Sequence, residues 1–203
     1  MTRVFLALFA LLVISVPLTA FADDAPDTGR EVYEIPGHGE LIMDVPKGWQ
    51  VKFYQPENDS YPIISFFPFK GPKIFQLSVA VFWSDRALQD LNNPENLREF
   101  VDSVGQSVLA QSDQDSFTLE EIQGNSGSGY LFDMTDKQAG KGEYTHLTQG
   151  AISVGNVIVA FSLFTQKGQH EELRERVLTM LKKARQDLSR RDVLFQMSPD
   201  IQQ

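Results

Sequence analysis

Residues 144–164 constrain the fold more than any other stretch. The arms Tyr144 to Val154 and Val157 to Phe164 are joined only by Gly155-Asn156, a pair suited to the positive φ of a tight hairpin turn. So short a connection leaves the arms only antiparallel pairing, because a parallel pair needs a crossover of about a dozen residues or more. The rest of the chain has to be built around a long antiparallel hairpin.

Other segments repeat that period of two. Glu31 to Ile35 is a strand closed by the turn Pro36-Gly37-His38-Gly39, and Glu40 to Val45 follows with Leu41, Met43 and Val45 on one face. Trp49 to Tyr54 alternates Trp49, Val51 and Phe53. Tyr61 to Phe69 is apolar but interrupted by Pro62 and Pro68, which suits an edge position. Ile74 to Trp83 aligns Phe75, Leu77, Val79, Val81 and Trp83 on one face. Phe117 to Gln123 is a further strand, Gly124 to Gly129 a turn, and Tyr130, Phe132 and Met134 alternate in the strand after it.

Two segments have helical periodicity instead. Asn93 caps a helix with Pro94 at its first position, where the missing N–H costs nothing. Leu97, Phe100, Val101, Val104 and Val108 form its apolar stripe. The second helix is predicted from about Gln169 to Leu188, with Leu173, Val177, Met180, Leu181, Ala184 and Leu188 inward. Its acids come early and its cations late, as the helix dipole favours. Strands stand before, between and after the helices, so the fold class is α+β: an antiparallel β-sheet flanked by helices, an α/β/α sandwich. Neither an internal repeat nor an interdomain linker is visible, which makes residues 23–188 a single domain and 189–203 a C-terminal tail.

The first twenty-two residues read as an address. Arg3 supplies a positive start, Val4 to Val16 are almost wholly apolar, Pro17 breaks the helix, and Ala20-Phe21-Ala22 is a small-x-small cleavage pattern. This predicts a secretory signal peptide, a new N-terminus at Asp23, and a periplasmic or secreted product. An uncleaved anchor is the competing reading, since the apolar stretch approaches the roughly 20 residues a spanning helix needs. Pro17 and the cleavage pattern argue against it, so no stable membrane insertion is expected.

Charge and cysteine then remove several classes. Residues 1–22 carry Arg3 as their one charge, so their loss takes the net charge from −9 to −10. That field repels nucleic acid, and none is expected as a partner. The chain has no cysteine, which excludes lipid attachment, disulfides, thiolate metal sites and cysteine nucleophiles.

No catalytic, cofactor-binding or metal-ligating set emerges from the remaining residues. The three histidines, His38, His146 and His170, share no ligand spacing. Alternation turns His146 and Tyr144 to one side and Glu143 to the other. Gly124-Asn125-Ser126-Gly127-Ser128-Gly129 fails as a nucleophile elbow, because its fifth residue is serine and a strand follows it. Asp23-Asp24-Asp27 and Asp113-Asp115 do not approach the order of an EF-hand loop. Glu120 and Glu121 point to opposite faces and cannot act as an acid/base pair. The chain is read as a non-enzyme.

The aromatic content stands out, with Phe at 15. Phe66, Phe67 and Phe69 crowd one proline-bracketed segment, and alternation cannot bury Phe66 and Phe67 on the same side. In a sheet covered on both faces both would be core. Otherwise one of them meets solvent, a ligand or a partner, and these three residues are the candidate partner contact.

The element order is similar to that of the PsbP-like fold, named for the extrinsic protein of photosystem II. The likeness covers Tyr33 to Leu188. It rests on Leu41-Ile42-Met43-Asp44-Val45-Pro46-Lys47-Gly48-Trp49, an apolar strand with a proline and a Gly-Trp turn, and on Gly150-Ala151 and Gly155-Asn156-Val157 in the late hairpin. The resemblance implies a non-catalytic accessory or assembly role, with no metal-binding or partner-binding residue to carry over. The expected function is therefore an exported accessory or binding protein that contacts another envelope protein through a sheet edge or the Pro62–Phe69 region. One alternative is a small-ligand binder with a pocket between helix and sheet, lined by Trp83 and Tyr130. Another is a hydrolase, which needs His146 or His38 beside an acid and a hydroxyl.

Overall fold

A computed structural model describes residues 29–55, 61–83, 90–140 and 142–189. The predicted signal peptide of residues 1–22, residues 56–60 of the polar loop, and the predicted tail from residue 190 onward lie outside the described residues. The elements run β1 (Arg30–Ile35), β2 (Gly39–Asp44), β3 (Trp49–Tyr54), β4 (Ile63–Pro68), β5 (Phe75–Phe82), α1 (Pro94–Val108), β6 (Glu120–Gln123) and β7 (Ser128–Thr135). They continue with β8 (His146–Val154), β9 (Val157–Thr165), α2 (His170–Lys182) and β10 (Arg185–Asp187).

Seven strands form one sheet in the order β3-β4-β5-β9-β8-β7-β6, and β1-β2-β10 form a smaller one. Every pairing is antiparallel. The β8–β9 hairpin turns at Gly155, whose φ of +62° is the conformation this tight turn requires. The Asn93 side chain accepts from the Glu95 N–H at 2.9 Å and opens α1.

Alternation sorts the core into two layers. Leu77, Val79, Val159, Phe161, Leu131 and Ile152 face α2 and the smaller sheet, where Leu173, Val177, Leu41 and Met43 meet them. Phe82, Ile158, Ala160, Phe132 and Ala151 face the other way, onto Leu97 and Val101 of α1. The sheet is therefore covered on both sides, and the fold is α+β as its periodicity predicts.

Four local expectations are corrected. The Pro62–Phe69 segment does not form an edge. Its strand β4 lies between β3 and β5 because the prolines bracket it: Pro62 precedes the strand, and Pro68 ends it opposite Trp49. The edge is β3. Second, Phe117 to Leu119 are not strand. Phe117 leaves the sheet to lie against α1, where a Cβ on Gly105 would collide with its ring, 2.6 Å from Cε2. Third, β8 begins at His146, so Tyr144 escapes the alternation and packs on Phe164 at 6.0 Å, on the face away from His146.

The fourth correction concerns the last helix, which ends at Lys182 rather than Leu188. Ala184 is buried all the same, and Arg185–Asp187 become β10, paired with Leu41 in the middle of β2. Helical propensity gives way here to the unpaired edge of β2. Gln186 fastens the new strand, accepting from the Asn156 N–H at 2.6 Å and donating to the His38 carbonyl at 2.7 Å. Gly39, at φ +78°, makes room for it, since a Cβ there would lie 3.1 Å from the Asp187 carbonyl carbon and closer still to its oxygen.

Candidate functional site

The α2-facing side of the sheet is apolar until its last two rows, where it turns polar. Register places Asp133 beside Thr148, and His146 between Thr135 and Thr165. Period two sends all five side chains toward α2. That helix begins with His170, and Arg174 follows one turn later on the same face. Four elements thus converge on Asp133.

The contacts are specific. Asp133 accepts from the Thr148 hydroxyl at 2.5 Å and from Arg174 Nε at 3.0 Å. His170 Nε2 lies 3.5 Å from the same carboxylate, and its Nδ1 lies 3.2 Å from the Thr165 hydroxyl. Arg174 extends a second nitrogen to Glu120 of β6 at 2.5 Å. The His146 ring stacks on His170 with centroids 4.8 Å apart, and its Nδ1 meets the Thr145 hydroxyl at 2.8 Å.

The electrostatics follow from this packing. Burial alone would raise the Asp133 pKa; hydrogen bonds from His170 and Thr148 and the Arg174 charge outweigh it and hold the carboxyl below its usual range. Burial lowers the His146 pKa, and the neighbouring His170 lowers it further. Burial opposes the charge on Arg174 as well, yet Asp133 and Glu120 together raise its pKa.

A hydroxyl, an imidazole and a carboxylate in line, Thr165–His170–Asp133, have the connectivity of a nucleophilic triad. Thr165 is 0% exposed, so no substrate reaches its hydroxyl. Asp133 spends both oxygens on partners within the cluster. Among the described residues no group of three His, Asp or Glu could hold a metal ion. The contacts fasten the start of α2 to β6, β7 and β9.

A pH dependence follows. A histidine with a lowered folded pKa takes up its proton more readily in the unfolded chain, so its stabilising contribution is present above the unfolded value of 6.5 and is lost as pH falls below it. Asp133, also lowered, adds a loss in the same direction at more acidic pH. The melting temperature is expected to fall as pH drops from 7 to 5, and His146→Gln to fall less steeply. Calorimetry over that range checks it, and parallel curves for the two proteins would remove His146 as the cause.

The other candidate residues are dispersed. His38 stacks on Trp83 at 4.3 Å in the β1–β2 turn, far along the fold from His146. Glu143 closes a loop by accepting from the Gly140 N–H at 2.7 Å. The serine-glycine loop receives the end of α2, with the Asn125 N–H donating to the Lys182 carbonyl at 2.7 Å and the Ser126 hydroxyl to Ala184 at 3.0 Å. Trp83 packs with the α2-side core and Tyr130 with the α1-side core, so they line no common pocket. The void under α1, beside Phe100, Phe132 and Gln149, holds about 10 Å³, space for one water.

Phe66 is 0% exposed and Phe67 and Phe69 are half-buried. Phe66 therefore drops out of the contact surface, its side chain turned inward to Trp49 at 6.1 Å. Tyr54 of β3, 62% exposed and on the Phe67 side of the sheet, joins it instead; Phe53, 43% exposed, lies on the opposite face against Tyr33 at 5.5 Å. The signal for them was available, because an exposed edge strand is where aromatic residues stay wet once the proline-bracketed segment is placed inside the sheet.

An antiparallel sheet with one helix on each face and a second small sheet defines an α+β sandwich. No protein-family model matches the chain, and no curated protein matches it in sequence. Solved structures do. Cyanobacterial PsbP (CyanoP) from Synechocystis sp. PCC 6803 superposes with a TM-score of 0.51 at 13% identity, covering 83% of this chain and 98% of that one. A protein of Bacteroides thetaiotaomicron VPI-5482 superposes with a TM-score of 0.51 at 14% identity, over 79% of this chain. The chain spans about half of that protein, 49% of its length. The fold is PsbP-like.

Proposed function

We propose that the protein is exported and acts without catalysis, as an accessory or assembly factor that binds another protein of the cell envelope. The signal-like residues 1–22 support export. The observation that carries the binding role is the aromatic surface of β3 and β4. Tyr54 is exposed and Phe67 and Phe69 are half-buried on one face of the sheet, while Thr165, the hydroxyl beside His170 in the polar cluster, is fully buried. Aromatic residues of this kind are the usual anchors of interfaces.

The test is capture from envelope extract by the native protein and by a Phe67→Asp/Phe69→Asp variant. Loss of an anchor aromatic costs about 2 kcal/mol, roughly thirtyfold in affinity, so the partner is expected to disappear from the variant's eluate. Identical partner lists would remove this surface. Fractionation tests the address separately, and an unprocessed chain in the cytosol would overturn export.

A further inference from the structure

We propose that the outer edge of β3 receives an extended, acidic segment of the partner as an added strand; this rests on the binding role above and names the chemistry of what is bound. β3 ends the seven-stranded order, and among the described residues no strand pairs its outer side. The Phe69 N–H donates to the Gly48 carbonyl at 2.9 Å, which sets the phase of the β3–β4 ladder. Antiparallel ladders alternate, so Gln50, Lys52 and Tyr54 direct their backbone groups to β4 while Val51 and Phe53 direct theirs outward. A strand laid alongside would satisfy them.

Charge selects the strand. In a chain of net charge −9, residues 45–83 carry Lys47, Lys52, Lys70 and Lys73 against two acids, Glu57 and Asp59, both in the loop outside the described residues. Lys52 Nζ stands 5.8 Å from the Phe67 ring and Lys70 Nζ 5.7 Å from that of Phe69, so the cations and the half-buried aromatics form one surface. Glu31 and Glu34 belong to β1, in the other layer. Lysine in an edge strand ordinarily guards against pairing. It guards against like charge, however. A symmetric pairing of two copies through Val51 and Phe53 sets Lys52 opposite Lys52, which is destabilising, whereas an aspartate or glutamate there is attracted. The favoured segment alternates acids, opposite Lys52, with apolar residues, opposite Val51 and Phe53.

The probe is an acetylated, amidated heptapeptide alternating aspartate and valine, with a lysine–valine counterpart, added to the nitrogen-15-labelled protein. The acidic peptide is expected to shift the Val51 and Phe53 amides saturably and to slow their hydrogen exchange; the lysine peptide is not. Lys52→Glu, at an exposed position, is expected to weaken the acidic peptide about tenfold and to admit the basic one. Equal response to both peptides, shifts elsewhere, or no response overturns the proposal. So do Val51 and Phe53 amides already slow in the free protein, which would mean that the chain itself or a second copy holds the edge. None of these failures touches the capture experiment, which scores Phe67 and Phe69 with whatever partner exists. Unchanged capture alongside acidic-peptide binding would remove the aromatic surface and leave the edge.

Discussion

Gly150→Ala is expected to cost about 3 kcal/mol, or about 10 °C in melting temperature for a domain of this size. Gly150 sits in β8, between Leu131 of β7 and Phe161 of β9. A Cβ there would strike the Tyr130 carbonyl oxygen and come within 2.7 Å of Leu131 Cβ. The first obstacle is backbone, so no rotamer change relieves it and β7 and β8 have to separate. Gly129, diagonally across the same ladder, is hemmed in by the Ala151 carbonyl in the same way, and the two glycines together let β7 and β8 come close. Gly29→Ala is the control: nothing lies within 4 Å of its added carbon, and its effect should stay within about 0.5 kcal/mol. Denaturant midpoints read both variants. A Gly150→Ala midpoint equal to that of the native protein would show that β7 and β8 yield more easily than their spacing implies.

Arg174→Met is expected to destabilise by about 2 kcal/mol. The methionine keeps the apolar stem of the arginine but leaves Asp133 and Glu120 without their shared cation. Removing one partner of a fully buried pair costs about 3–5 kcal/mol. Asp133 is 36% exposed and Glu120 55%, so water recovers part of that loss. Asp133→Asn in the Arg174→Met background should restore more than half, because the neutral amide no longer needs the cation and can still accept from Thr148. Urea titrations of the four proteins close the cycle. Additive losses would show that Arg174 stabilises through Glu120 and not through Asp133.

What could be read from the residues was whatever local chemistry decides. Gly155-Asn156 and Asn93-Pro94 mark their turn and their cap within two residues, and the α+β layering follows from the order of periods two and 3.6. Where partners are distant the residues are silent. Arg185-Gln186-Asp187 has no apolar alternation and continues a helical stripe, and only the bare edge of β2 makes it a strand. Pro62 and Pro68 were read as breaking a strand because proline obstructs a ladder, yet they stand at its two ends. The polar cluster draws Asp133, His146, His170 and Arg174 from three elements. Each is unremarkable in its own neighbourhood, and the 24-position separation of the histidines matches no ligand spacing. Phe53 and Tyr54 were assigned correctly to a strand, but their exposure depended on that strand being outermost.

The position of β10 has a consequence for how the protein is made. A ribosome or a translocon delivers the chain from its N-terminus, and β2 stands early in that order. Its outer neighbour is the last element described. Everything between can collapse as it emerges, while β2 waits with one flank bare until residue 187 is released. A nascent chain stalled at residue 183 would carry the whole seven-stranded sheet and still offer an open seam for holdase chaperones, so maturation ends in a single late closing step.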